Sequence, residues 1–78
     1  MTRFFFHIRD GSVFIEDPDG TELDDLDAAR DEALASARDL VAARVKAGLV
    51  VDGRHFEITN EAGEILADVP LTSALLRP

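Results

Sequence analysis

The stretch Glu16–Asp25, EDPDGTELDD, decides how this chain folds. It holds four aspartates and two glutamates in ten residues, so it invites three readings: a metal loop, an acidic patch for a partner, or a turn that leads into a helix. A calcium EF-hand loop needs oxygen ligands at positions one, three and five, glycine at six and a bidentate glutamate at twelve. Counted from Asp17, positions one and three fit and Thr21 stands at five, but six is Glu22 and twelve is Ala28. No helix signal precedes the loop. A turn explains the stretch better, because Pro18 sets φ near about −65° and Gly20 permits a positive φ. The end of the stretch then caps a helix, with Asp25 as N-cap and Asp27 and Asp31 near the positive end of the helix dipole.

Downstream of the turn, Leu26–Ala47 holds no proline or glycine and is filled with helix formers. Leu26, Ala29, Ala33, Ala37 and Leu40 recur at steps of three and four, and Leu34, Val41 and Val45 widen the stripe. The pattern predicts an amphipathic helix on a core, and its alanines predict close approach to a sheet. Gly48 is the expected stop, with Arg44 and Lys46 in the last turn.

Upstream, RDG at Arg9–Gly11 separates FFFHI from VFI. Beyond the helix, NEAG at Asn60–Gly63 separates HFEIT from EILADV. Both read as hairpin turns. A further DG at Asp52–Gly53 belongs to the loop into the third strand. The expected fold is α+β, with order β-β-α-β-β: a four-stranded antiparallel sheet and one long helix on one face. A short helical turn is expected at Thr72–Leu76, after Pro70.

Alternation in the first strand puts Phe4, Phe6 and Ile8 on one face and Phe5, His7 and Arg9 on the other. One helix covers one face, so Phe5 needs company on the far side. A two-residue DG turn pairs Ile8 with Val13, whereas a three-residue turn with a glycine bulge pairs Ile8 with Ser12. The bulge is preferred, because arginine and aspartate tolerate right-handed turn positions. Phe5, His7 and Phe14 are the candidate interaction residues. The far face is expected to be covered either by a second copy of the chain, which is favoured, or by Leu71, Leu75 and Leu76 folding back.

The 78 residues make one domain, and a domain this short has little core to spare. Without cysteine it has neither disulfide nor thiolate metal site, which fits a cytoplasmic protein. The apolar run in MTRFFFHIRDG is too short for a signal-peptide core or a membrane span. Sixteen acidic residues against eight basic give a net charge of −8, which keeps the chain soluble and repels phosphate backbones. Neither nucleic acid nor membrane is therefore an expected partner. His7 and His55 lack the helical i, i+4 spacing of a zinc pair, and could meet only if the first and third strands are neighbours. Ser12, Ser36 and Ser73 lack a nucleophile-elbow context, and no glycine-rich phosphate loop is present. These readings give no catalytic residue, no metal ligand and no cofactor.

Taken in order, RFFFHIRDG, IEDPDGTEL, DLDAARDEAL, DGRHFEITNEAGEIL and VPL resemble a family of short bacterial proteins, domain of unknown function 6894. The resemblance spans almost the whole chain. That family has no assigned activity, so the resemblance implies a compact bacterial domain and no catalytic residue. Its members commonly carry leucine near position 14, where Phe14 keeps an apolar side chain. A weaker likeness is to HicB-type antitoxins, which also place a β-hairpin before a D-L-x-x-A helix start, here Asp25, Leu26 and Ala29. HicB proteins neutralise a small ribonuclease toxin, and many carry a separate DNA-binding domain that this chain lacks. The functional expectation is a non-enzymatic, self-associating interaction module, most simply a homodimer. The alternative is an antitoxin-like or regulatory partner covering a basic protein.

Overall fold

The computed structural model describes residues 1–49 and 53–76, with residues 75 and 76 described by their backbone alone. The helix forms where the periodicity places it. α1 runs Leu26–Lys46, and the Asp25 side chain accepts the Ala28 N–H at 2.8 Å as an N-cap. At the other end Gly48 has φ +76°, its N–H donates to Val45 C=O and the Leu49 N–H donates to Arg44 C=O. That pair of bonds is a Schellman stop, which leaves the last carbonyls satisfied. Ala29, Ala33, Ala37 and Val41 are buried in one i, i+4 row, with Leu26, Leu34 and Leu40 half-buried beside it. Val45, expected on the same stripe, is exposed, because the row leaves the core after Val41.

The sheet is antiparallel throughout. β1 (Thr2–Asp10) lies between β2 (Val13–Ile15) and β4 (His55–Thr59), and β5 (Ile65–Pro70) pairs with β4. A further short strand, β3 (Thr21–Leu23), pairs with the start of β1. The acidic turn therefore does not end the second strand for good. Ile8 pairs with Ile15 and Phe4 with Thr21, so the three residues 5–7 of β1 face the five residues 16–20. β2 and β3 are two halves of one strand, interrupted by an insert two residues longer than the stretch it faces.

The first hairpin follows neither anticipated register. Its two-residue loop is Gly11–Ser12, one position later than the DG turn, and Asp10 pairs with Val13. Gly11 has φ +60° and Ser12 has negative φ, the pattern of a type II′ turn with glycine first. No bulge is needed, so the preferred three-residue register is corrected. Ile15 and Val13 share the helix side with Ile8, and Phe14 pairs with Arg9 on the far side.

The core lies between α1 and the sheet: Phe4, Phe56, Ile58 and Val69 from the strands against the alanine row. Leu71, at 1% exposure, closes it from a 3₁₀ turn at Leu71–Leu76, and Ala74 packs beside it. This corrects the fold-back expectation for Leu71: it seals the helix side and leaves the far face bare. The side chains of Leu75 and Leu76 lie outside the described residues, as does Asp52 of the expected loop.

Candidate functional site

The far face of the sheet gathers Phe5, His7, Arg9, Phe14, His55, Glu57, Thr59 and Asp68, as strand alternation and the register require. Phe5, His7 and Phe14 are thus brought together. The Phe5 and His7 rings stack with centroids 6.1 Å apart, and His7 lies 5.1 Å from Phe14. Arg9 sits over the Phe14 ring at 4.5 Å and donates to both oxygens of Glu57, at 3.3 and 3.4 Å. The guanidinium is therefore used twice, as a carboxylate fork and as a cation on an aromatic face. Next to it, His55 contacts Asp68, and Arg54 Nε donates to Asp10 at 3.1 Å. Paired charges and flat rings, rather than a second layer, cover this side of the sheet.

Strands β1 and β4 are neighbours, yet the two histidines do not form a pair. His7 faces Glu57 across the ladder and His55 faces Arg9. Each ring is used locally. His7 Nδ1 accepts the backbone N–H of Asp17 at 3.0 Å, and Nε2 lies 3.2 Å from the hydroxyl of buried Thr59. An Nδ1 that accepts from an amide carries no proton, so the neutral ring is the Nε2–H tautomer and donates to Thr59. Long-range ¹⁵N–¹H NMR on the imidazole is expected to show His7 with its proton on Nε2. A proton on Nδ1 would show that the Asp17 amide is not its donor.

Asp17, a turn residue by sequence, holds the loop against β1. Its carboxylate accepts the N–H groups of Phe6 at 3.1 Å, Gly20 at 3.2 Å and Asp19 at 3.4 Å. The Phe6 bond is the informative one. Phe6 stands where the second strand is interrupted, so its N–H has no ladder partner there, and the Asp17 side chain takes the place of the missing strand. Gly20 then lies so close to β1 that an added Cβ would stand 2.9 Å from both Phe4 O and Phe5 Cε2. The loop folds down over Phe5, which explains how a phenylalanine on the bare face is half-buried without a partner chain.

Across from this loop, the β4–β5 turn is held in the same manner. Asn60 Oδ1 accepts the N–H groups of Ala62 at 3.0 Å and Glu64 at 2.9 Å. Between the two turns lies an open depression of about 200 Å³, walled by Phe5, His7, Asp17 and Pro18 and rimmed by Glu16, Asn60, Glu61 and Gly63. Among the described residues no three His, Asp or Glu side chains converge as a metal set. No helix among them is long and apolar enough to cross a membrane.

A family model for a domain of unknown function, DUF6894, matches residues 3–72. The chain belongs to the DUF6894 family. The matched span of this DUF6894 domain takes in the Asp17 loop, both walls of the depression and the whole of α1. No curated protein and no solved structure matches the chain.

Proposed function

We propose that this DUF6894 domain is a non-enzymatic protein-interaction module that pairs with a second copy of itself through the β2 edge. The observation that carries the reading is the edge itself. Val13, Phe14 and Ile15 are all about half exposed, carry no charge and end the sheet, since β2 has β1 on one side only. Soluble proteins guard such edges with lysine, proline or a cover, and this edge has none of these within the strand. Antiparallel addition about a two-fold axis at Phe14 would continue the sheet from one copy into the next and set each Val13 beside an Ile15. At about 25 cal/mol per Å² of apolar surface, covering one such side chain contributes on the order of 2 kcal/mol. This site differs from the face around Phe5, which the Asp17 loop covers in part.

Lysines at Val13 and Ile15 test the edge while leaving the far face untouched. Light scattering of the native chain is expected to give twice the chain mass, and V13K/I15K the single mass with an unchanged circular-dichroism spectrum. A native chain that stays monomeric across a concentration series would end the self-pairing reading. A V13K/I15K variant that remains dimeric would move the interface away from β2.

A further inference from the structure

The depression between the Asp17 loop and the β4–β5 turn has a chemistry that the edge does not share. Its walls are flat rings: Phe5, and a His7 whose two nitrogens are already engaged by the Asp17 amide and the Thr59 hydroxyl. His7 therefore offers a ligand ring surface and no free proton donor or acceptor. The rims carry Glu16 and Glu61, both exposed, and neither has an ion pair among the described residues, although Glu22, Glu57, Asp10 and Asp68 all do. Asp17 adds a third carboxylate, spent on backbone donors. Aromatic wall and unpaired carboxylates together suit a cation that tolerates partial loss of water. At about 200 Å³ the space lies below the range of about 300–1,000 Å³ typical of whole small-molecule ligands, and fits one side-chain head.

From this we infer that the depression receives an arginine side chain of a protein partner, its guanidinium against the Phe5–His7 wall and between Glu16 and Glu61. Guanidinium is favoured over ammonium because it is planar, weakly hydrated and stacks on rings. The far face already shows this chemistry once, where Arg9 lies between Phe14 and Glu57. A free arginine fits less well, since its α-carboxylate would meet three like charges. The net charge of −8 steers a basic partner toward the domain. The inference rests on reading the domain as a protein-binding module but not on self-pairing, because the β2 edge and the depression use different residues.

The test is an NMR titration of the ¹⁵N-labelled chain with acetyl-Gly-Arg-Gly-amide, run on the native protein and on V13K/I15K. Saturable shifts are expected at the amides of Phe5, His7, Glu16, Glu61 and Gly63 in both proteins, with a Kd on the order of millimolar. The lysine peptide and free L-arginine are expected to bind more weakly, and the isosteric citrulline peptide not measurably. E16Q/E61Q, two exposed substitutions that leave the fold alone, is expected to weaken binding by about tenfold, as for two surface ion pairs. Phe5→Leu is expected to weaken it by about threefold through loss of the ring. Equal shifts from citrulline, shifts spread along the exposed carboxylates of α1, or no shift at all would overturn the assignment. Tighter binding of free arginine than of the peptide would replace the protein partner by a small molecule. Loss of binding in V13K/I15K alone would place the site at the dimer interface and overturn its independence.

Discussion

Replacing Gly20 with alanine is expected to destabilise the domain by about 3–4 kcal/mol and to lower its melting temperature by about 15–25 °C. Two separate effects add. Gly20 has φ +70°, a conformation that costs an L-residue about 1–2 kcal/mol. The new methyl would also stand 2.9 Å from the Phe4 carbonyl oxygen and from Phe5 Cε2, and 3.0 Å from Arg3 Cγ. The carbonyl belongs to the strand that anchors β3, so it cannot yield without opening the Phe4–Thr21 pairing. Relief by backbone movement in a packed site costs about 1–3 kcal/mol more. Gly11 and Gly63 supply the control. They have φ +60° and +82°, and an added Cβ meets nothing within 4 Å at either. Alanine there is expected to cost about 1–2 kcal/mol, the conformational part alone. Urea unfolding of the three variants separates the contributions, and a Gly20→Ala cost no larger than that at Gly11 would mean that the loop does not rest on β1.

Why the sequence disclosed some of this and concealed the rest follows from the range of the interactions involved. The helix was legible at both ends because its signals are local: Asp25 reaches Ala28 three residues on, and Gly48 reverses the chain where it stands. The division of β1 into a Phe4, Phe6, Ile8 face and a Phe5, His7, Arg9 face was legible for the same reason, since alternation needs no partner. The first hairpin was not. RDGS admits several loops, and the one adopted places Gly11 first rather than last, which sets Phe14 opposite Arg9 on the far face. The return of the chain as β3 was hidden too, because Thr21–Leu23 is too short to show a period and stands directly before the start of α1. The site suffered most from distance. Asp17 meets the Phe6 amide eleven residues away, and His7 meets Thr59 fifty-two residues away. A local reading sees a proline turn at Asp17 and an isolated histidine at position 7. Only the folded sheet shows that one positions the other.

That dependence makes Asp17→Ala the most informative change in the loop. The substitution removes the acceptor of three backbone N–H groups at once. That of Asp19 is exposed and can turn to water, and that of Gly20, though part-buried, lies in the surface loop. The N–H of Phe6 is part-buried in the middle of β1 and faces the interruption between β2 and β3, where no strand carbonyl replaces the carboxylate. An unsatisfied donor of this kind costs about 1–3 kcal/mol, and the lost closure of the turn adds about 1 kcal/mol, as for a helix cap. The expected total is about 3 kcal/mol, or about 12–20 °C in melting temperature. Asp17→Asn can turn its one oxygen to the Phe6 amide but loses the charge and the acceptor for Gly20 and Asp19, and is expected to cost about half as much. Asp19→Ala removes a neighbouring charge without removing an acceptor, and should leave stability nearly unchanged. Two further readouts separate a specific role from general weakening. In Asp17→Ala the Phe6 amide is expected to exchange with solvent far faster than those of Phe56 and Ile58, and His7 to lose its Nε2–H preference as the Asp17 amide drifts from Nδ1. If Phe6 stays protected and the tautomer unchanged while stability falls, the carboxylate is not what bridges the broken strand.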